Sequence, residues 1–468
     1  MLYWAAKILT QKLVLAVNMV EYIGGSGLLL ALFQAGSSEI NEIIIRLLIQ
    51  LSVILAAAKL AGEVATRFLK IPTVLAELGV GVVIGPFALG ALPIPGFGPL
   101  FPIPMVDGHP AAIPVSNELY AIAQLGSILL LFSIGLETNL KQFLRYAGPA
   151  TAVAIGGVVL PFALGAGATV MLGFAGEDGW LSPQALFMGA IMTATSVGIT
   201  ARVLADLNHL GEPEGVTIIA AAVVDDILGL LVLTVVVGIS AAGAFSLGTL
   251  GWISFKAIGF WLALTTVGIL AAPYLEKLLD KFRTEGVIVG IPLALALLSA
   301  GLSEVFGLAF IIGAFSIGLA LSTTRLGHLA EVAMIGIIDF MVPIFFVVMG
   351  MLVNVGAMQS GIVFGLVISL LAIISKVVGS GGPALVTGFN FRGSARVGVG
   401  MMPRGEVALI IAGIGLSQGI ISQNLFGVSI MMTVITTLIA PIVLVPLFKG
   451  GSGVRGAEQR GELESAND

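Results

Sequence analysis

Two aspartates stand side by side in VVDDILGLLVLTVVV, residues 223–237, within a run otherwise suited only to an apolar environment. Lys376 interrupts a second such run, and Arg404 with Glu406 interrupts a third in MMPRGEVALI. A charge at the centre of a bilayer costs roughly 2.5–3.5 kcal/mol on insertion scales, so ionisable groups placed there mark ion or proton pathways and pair with one another. Neighbours on a helix point about 100° apart, so Asp225 and Asp226 do not face the same partner. One can pair with a base, for which Lys376 is the obvious mate, while the other faces a water-filled cavity. A buried lysine–aspartate pair adds little net stability, because desolvation offsets its attraction. It does make a proton switch, since the protonation of each member depends on the charge of the other. Hard monovalent cations such as Na+ take oxygen ligands. A carboxylate that holds either a proton or the cation couples the two movements by competition alone, and that is antiport. An inert ion cluster needs only one acid per base. Catalytic aspartates of an intramembrane protease must converge on one water, which consecutive residues of one helix do not. The chain therefore reads as a transporter and not as an enzyme.

These residues need apolar elements to hold them, and composition supplies little else. Of 468 residues, 58% are hydrophobic and 10% charged, where a soluble domain carries about 25% charged residues. Mean hydropathy is +1.11. The lipid bilayer is the expected surroundings, and the net charge of −5 gives no sign of a nucleic-acid partner. The absence of cysteine excludes thiol nucleophiles, disulfides and Cys-based metal sites. No cofactor is expected. His109, His209 and His328 fall in predicted loops and read as solvated.

The fold class is an all-α polytopic membrane protein. Thirteen apolar spans lie near 42–68, 73–91, 119–139, 147–174, 182–207, 214–240, 249–274, 285–302, 306–323, 331–353, 361–389, 396–417 and 424–448. They are too long and continuous for a membrane β-barrel. Alternate loops carry the basic residues, from Arg67 and Lys70 through Lys277, Lys281 and Arg283 to Lys449, Arg455 and Arg460. The intervening loops, such as 92–118, 303–305 and 354–360, have no Lys or Arg. The positive-inside rule then places the first span entering from outside and the C-terminus in the cytoplasm of an inner-membrane protein. Residues 1–41 read either as a signal peptide ending near LFQAGSSE or as a fourteenth helix. Residues 449–468 read as a disordered cytoplasmic tail after a membrane unit at 42–448.

An internal echo relates the halves. LFSIGLETN (131–139) ends the third span and FVVMGMLVN (346–354) ends the tenth, placing Gly135 on Gly350 and Asn139 on Asn354. Copies seven spans apart run in opposite directions, which is the pattern of an inverted repeat, here about 42–240 and 285–448. The fifth span is interrupted by TATSVGIT (193–200) and the twelfth by Pro403-Arg404-Gly405. Broken helices at corresponding places of two inverted halves point to a midplane ion site.

VLAELGVGVVIGPFALG, LLLFSIGLETNL, TATSVGIT with AAAVVDDILGLLVL, and MMPRGEVALIIAGIGL together resemble the monovalent cation:proton antiporter-2 family, which includes NapA-like sodium and Kef-type potassium exchangers. The resemblance spans about 42–448. It implies crossed broken helices in a six-helix core that moves elevator-fashion against a dimerisation domain, hence a homodimer. It implies that Asp226 ligates the cation, that Asp225 pairs with Lys376 as the salt-bridge switch, and that Thr195 and Ser196 supply polar atoms at the first crossover. Arg404 and Glu406 then belong to the second. Asp-Asp with Lys implies electrogenic exchange, and the lack of a Gln-Asp pair and of a regulatory domain favours Na+ over regulated K+ efflux. The expected activity is Na+/H+ antiport, with Na+ (or K+/Li+) and H+ as cargo. A Kef-type K+/H+ exchanger and a sodium-coupled organic anion symporter are the alternatives.

Overall fold

The computed structural model describes residues 39–69, 71–106, 109–111, 113–175, 179–242, 247–279, 281–282 and 286–455. The leading segment lies outside the described residues except for 39–41, which open the first helix. The helices are α1 Glu39–Val64, continued by a π-helical turn Ala65–Leu69, α2 Thr73–Ile84, α3 Asn117–Glu137, α4 Leu140–Met171, α5 Pro183–Thr193, α6 Val197–Asp206, α7 Pro213–Ala242 and α8 Leu247–Leu279. They continue with α9 Gly286–Val305, α10 Phe310–Leu321, α11 Arg325–Met351, α12 Ile362–Val386, α13 Phe391–Gly400, α14 Glu406–Ser417 and α15 Gln423–Phe448. Among the described residues, ten helical segments are long and apolar enough to cross a membrane, and Val289–Val305, Phe310–Leu321 and Val407–Leu416 are shorter apolar helices.

Helix is the form these sequences must take, because lipid offers no partner for an open backbone group. Starts are set by small polar residues. Ser116, Asn139, Ser182, Asn390 and Ser422 each accept a backbone N–H from the first turn of the helix that follows. Asn354, which the sequence echo pairs with Asn139, accepts from Ala357 in the same manner.

The helices pack as two groups. In one, α4 lies on α5, α7 and α12, while α12 and α14 lie on α15; this crossing group contains both interrupted spans. In the other, α3 lies on α10 and α11, and α11 on α1 and α2; α8 and α9 pack on α10. The groups touch sparsely, chiefly through α3 with α6 and α7 with α8. Glycine sets the closest approaches within the second group. A Cβ on Gly81 of α2 would strike the Val347 carbonyl of α11, and one on Gly135 of α3 would strike the Phe315 carbonyl of α10.

Two features differ from the sequence expectation. The polar tail is not free from its first residue. Asn390 N–H donates to the Gly453 carbonyl at 2.9 Å, and Arg396 Nη2 donates to the carbonyls of Gly450 and Gly451, so the chain is docked as far as Arg455. Residues 456–468 lie outside the described set. His209 is not a free loop residue either, for it stacks on Phe448 at 4.6 Å and its Nδ1 lies 2.7 Å from Glu212 Oε1.

Candidate functional site

Both interrupted spans are broken where their sequences predict. Residues 194–196 are extended between α5 and α6, with Ser196 at φ −95° and ψ 100°. Residues 401–405 separate α13 from α14, where Pro403 lacks the N–H a continuous helix needs. The breaks cross and are stitched together. Ser196 N–H donates to the Pro403 carbonyl at 2.8 Å, and Thr200 Oγ1 donates to the Gly400 carbonyl at 2.6 Å.

Arg404 is fully buried at the crossing. Its Nη2 donates to the Met192 carbonyl at 2.7 Å and its Nη1 to the Met402 carbonyl at 3.1 Å. Met192 belongs to the last turn of α5, so the guanidinium meets carbonyls left open there and opposes the negative end of that helix. Thr437 of α15 donates its hydroxyl to the Arg404 carbonyl.

α7 passes beside the crossing and delivers the two aspartates to different surroundings. Asp225 Oδ1 is 3.0 Å from Lys376 Nζ, with side chains 2% and 0% exposed. The lysine fits because α4 presents Gly156 and Gly157 to α12. A Cβ on Gly156 would strike the Gly379 carbonyl, and one on Gly157 would strike Ser380 Oγ and stand 3.4 Å from Lys376 Nζ. Thr195 lies beside Asp225, with its Oγ1 donating to the Met401 carbonyl at 3.5 Å. Asp226, half-buried, lines a cavity of about 290 Å³ with Asp225, Thr193, Ala194 and Glu304. Apolar residues of α7 and α14 complete the wall. The cavity runs from the breaks toward the turn 303–309, on the face whose loops lack Lys and Arg, and Glu304 is exposed at its mouth.

The structure thus brings Asp225, Asp226, Lys376, Thr195 and Arg404 to one crossing. Ser196 is not brought to the Asp226 cavity. It lines a second, apolar cavity on another side of the breaks, together with Arg404 and Gly405. Glu406 opens α14 directly after the break, and its side chain lies outside the described set. Among the described residues, no group of three or more His, Cys, Asp or Glu is placed to hold a metal ion.

A family model described as sodium/hydrogen exchanger, transmembrane, matches residues 51–450, from the middle of α1 to the end of α15 and so across the whole crossing group. The chain belongs to the sodium/hydrogen exchanger family. It is 36% identical over 434 residues to the high-affinity Na+/H+ antiporter NhaS3 of Synechocystis sp., covering 88% of this chain and 92% of that one. It is 36% identical over 400 residues to the Na+/H+-K+ antiporter GerN of Bacillus cereus, with 84% and 94% covered. Among solved structures, the sodium proton antiporter MjNhaP1 of Methanocaldococcus jannaschii is similar with a TM-score of 0.61 at 18% identity, covering 87% of this chain and 99% of that one. That last likeness is one of fold.

Three functional features of this exchanger chain escaped sequence reasoning. Glu304 is the only charge in its loop, a signal that marks it as a rim residue but does not place it over Asp226. Thr437 gave no signal among the hydroxyls of apolar spans. Glu214 and Arg396 form a second buried pair at 2.6 Å, each 2% exposed, at the opposite end of α7 from the cavity mouth. Arg396 belongs to one of the basic loops that the sequence uses only to set orientation.

Proposed function

We propose that this chain is a secondary-active Na+/H+ antiporter in which Asp226 holds Na+ and a proton by turns. The division of labour within the doublet carries the reading: Asp225 is locked to Lys376 at 3.0 Å, and Asp226 lines a cavity at the crossing of two broken helices. Thr193 and the open backbone at the end of α5 line the same cavity and offer oxygen ligands. Either cargo neutralises Asp226, whereas a bare carboxylate is costly to carry through a low-dielectric contact. Only a loaded site therefore crosses, and exchange becomes obligatory. A change in the Asp225–Lys376 pair moves a further proton, so more protons than cations pass and transport is electrogenic.

Several finer points belong to this proposal. The sparse contact between the two helix groups supports a crossing group that moves as a body against the other, and a homodimer built on that other group. The Gly81–Gly350 and Gly135–Gly318 approaches are one contact seen in two orientations, which supports the inverted repeats. Counting each broken span once gives thirteen crossings, and the basic-free loops then lie outside with the C-terminus in the cytoplasm. In that orientation the Asp226 cavity faces outward. The narrower antiporter-2 grouping rests on the doublet and Lys376, since the relatives' names do not carry it.

K+ stays as a competing cation because GerN is named for it. Organic anion symport is disfavoured, because the charged groups lining the cavity, Asp225, Asp226 and Glu304, are all acidic. The deciding measurement uses purified protein in liposomes with a pH-sensitive dye, titrated with Na+, Li+ and K+ under an imposed pH gradient, with voltage clamped or free. The wild type should exchange Na+ and respond to voltage, and Asp226→Asn should exchange nothing while remaining folded. Sodium-dependent dequenching in Asp226→Asn refutes the assignment.

A further inference from the structure

The second cavity is not on the proposed cation route, and its construction is unlike that of the first. It has about 90 Å³ of water-accessible space between α2 and α11 of one group and α6, α14 and α15 of the other. Its walls are apolar, and it opens sideways where Leu438, in the middle of α15, is 38% exposed toward the bilayer. Two donors that meet no acceptor are nonetheless buried in residues that line it. Ser196 Oγ and Arg404 Nε are both buried and have no hydrogen-bond partner among the described residues, although the residues are only 2% and 0% exposed. The ten-residue α6 and the twelve-residue α14 also begin there, and neither has a side-chain cap on its first N–H groups. A guanidinium N–H, a hydroxyl and two positive helix ends in an apolar chamber ask for an anionic acceptor on an apolar body. Such a ligand reaches the chamber from the membrane and not from water.

We propose that this cavity is a binding site for a long-chain carboxylate, such as a membrane-dissolved fatty acid, with its head on Ser196 and Arg404 and its chain leaving past Leu438. A ligand seated there lies between the two helix groups and holds them together, so its occupancy slows exchange. The site does not depend on which cation is carried, and its binding is read without transport.

The test exploits Gly79 of α2, which lines the far wall and where an added Cβ meets nothing within 4 Å. Gly79→Leu adds bulk to the chamber from α2 and leaves Ser196, Arg404 and the breaks unsubstituted. Wild-type protein in nanodiscs is photolabelled with a diazirine analogue of oleate, and the labelled peptides are mapped. Labelling should fall on α2, α11 or α15 around the cavity, disappear in Gly79→Leu, and be competed by oleate but not by oleyl alcohol. Oleate should also slow radiolabelled Na+/Na+ exchange at equal pH on both sides in wild type and lose that effect in the variant. Labelling spread evenly over the lipid-facing surface, or unchanged in Gly79→Leu, overturns the site, and equal competition by the alcohol overturns its anionic head. Leu438→Trp, at the lipid-facing mouth, gives the same comparison if Gly79→Leu does not fold.

Discussion

At Lys376 a stability prediction separates the buried pair from its transport role. Lys376→Ala leaves Asp225, 2% exposed, with an uncompensated charge, and removing one member of such a pair costs about 3–5 kcal/mol. The variant should melt well below the wild type, and Lys376→Ala/Asp225→Asn should recover part of the loss. A single variant that melts with the wild type would mean Asp225 already has water or another base. The doublet and Lys376 were legible in the sequence because a charge in an apolar run is expensive and so stands out. Which aspartate pairs came only from the family resemblance, since spacing gives their angular separation but not the bearing of either. Ser196 shows the same limit. Its place in a broken segment marked it as polar lining of the ion site, yet it lines the other cavity. Glu304 was missed because charges at span ends are cheap and common.

Among the elements, the breaks were legible because proline and clustered glycine, serine and threonine remove helix hydrogen bonds at a definite residue. The docked segment 450–455 was not. It is held through its own carbonyls by Arg396 and Asn390, and a polar glycine-rich sequence carries no periodicity to announce that. Helix approach was half legible: glycines abound, but only the structure says which are needed. α4 and α12 meet at Gly157, where a Cβ would strike Ser380 Oγ. Gly157→Ala should therefore destabilise by about 1–3 kcal/mol through overpacking. Adding Ser380→Gly should relieve it. Gly259 of α8 has nothing within 4 Å of an added Cβ, so Gly259→Ala should gain up to about 1 kcal/mol from helix propensity. Thermal unfolding of the three variants and the wild type in one detergent gives the comparison. If Gly157→Ala is as stable as Gly259→Ala, α12 is not seated by that contact, and the placement of Lys376 needs another cause.

For the whole molecule, the proposed alternating access pairs an open cavity on one face with closure on the other, through contacts between the two helix groups. On the basic face, Thr73 Oγ1 of α2 donates to Asp206 Oδ2 of α6 at 3.3 Å, and Arg202 Nε lies 3.0 Å from Asp206 Oδ1. Glu77 of α2 is buried beside them, with Arg202 and Lys59 as its electrostatic neighbours. Asp206 keeps 32% of its side chain exposed, so its links are worth no more than about 1 kcal/mol. That is enough to move a two-state population about fivefold, because contacts made in only one state set the balance between states. Thr73→Val with Asp206→Asn should therefore drain the state seen here. The chain has no cysteine, so Leu233→Cys on the cavity wall gives a unique reporter. A membrane-impermeant maleimide added from the basic-free face should label it readily in the parent and several-fold more slowly in the double variant. Equal rates in both would place the energetic closure elsewhere, with Glu77 of α2 beside Arg202 of α6 the next contact between the groups to break.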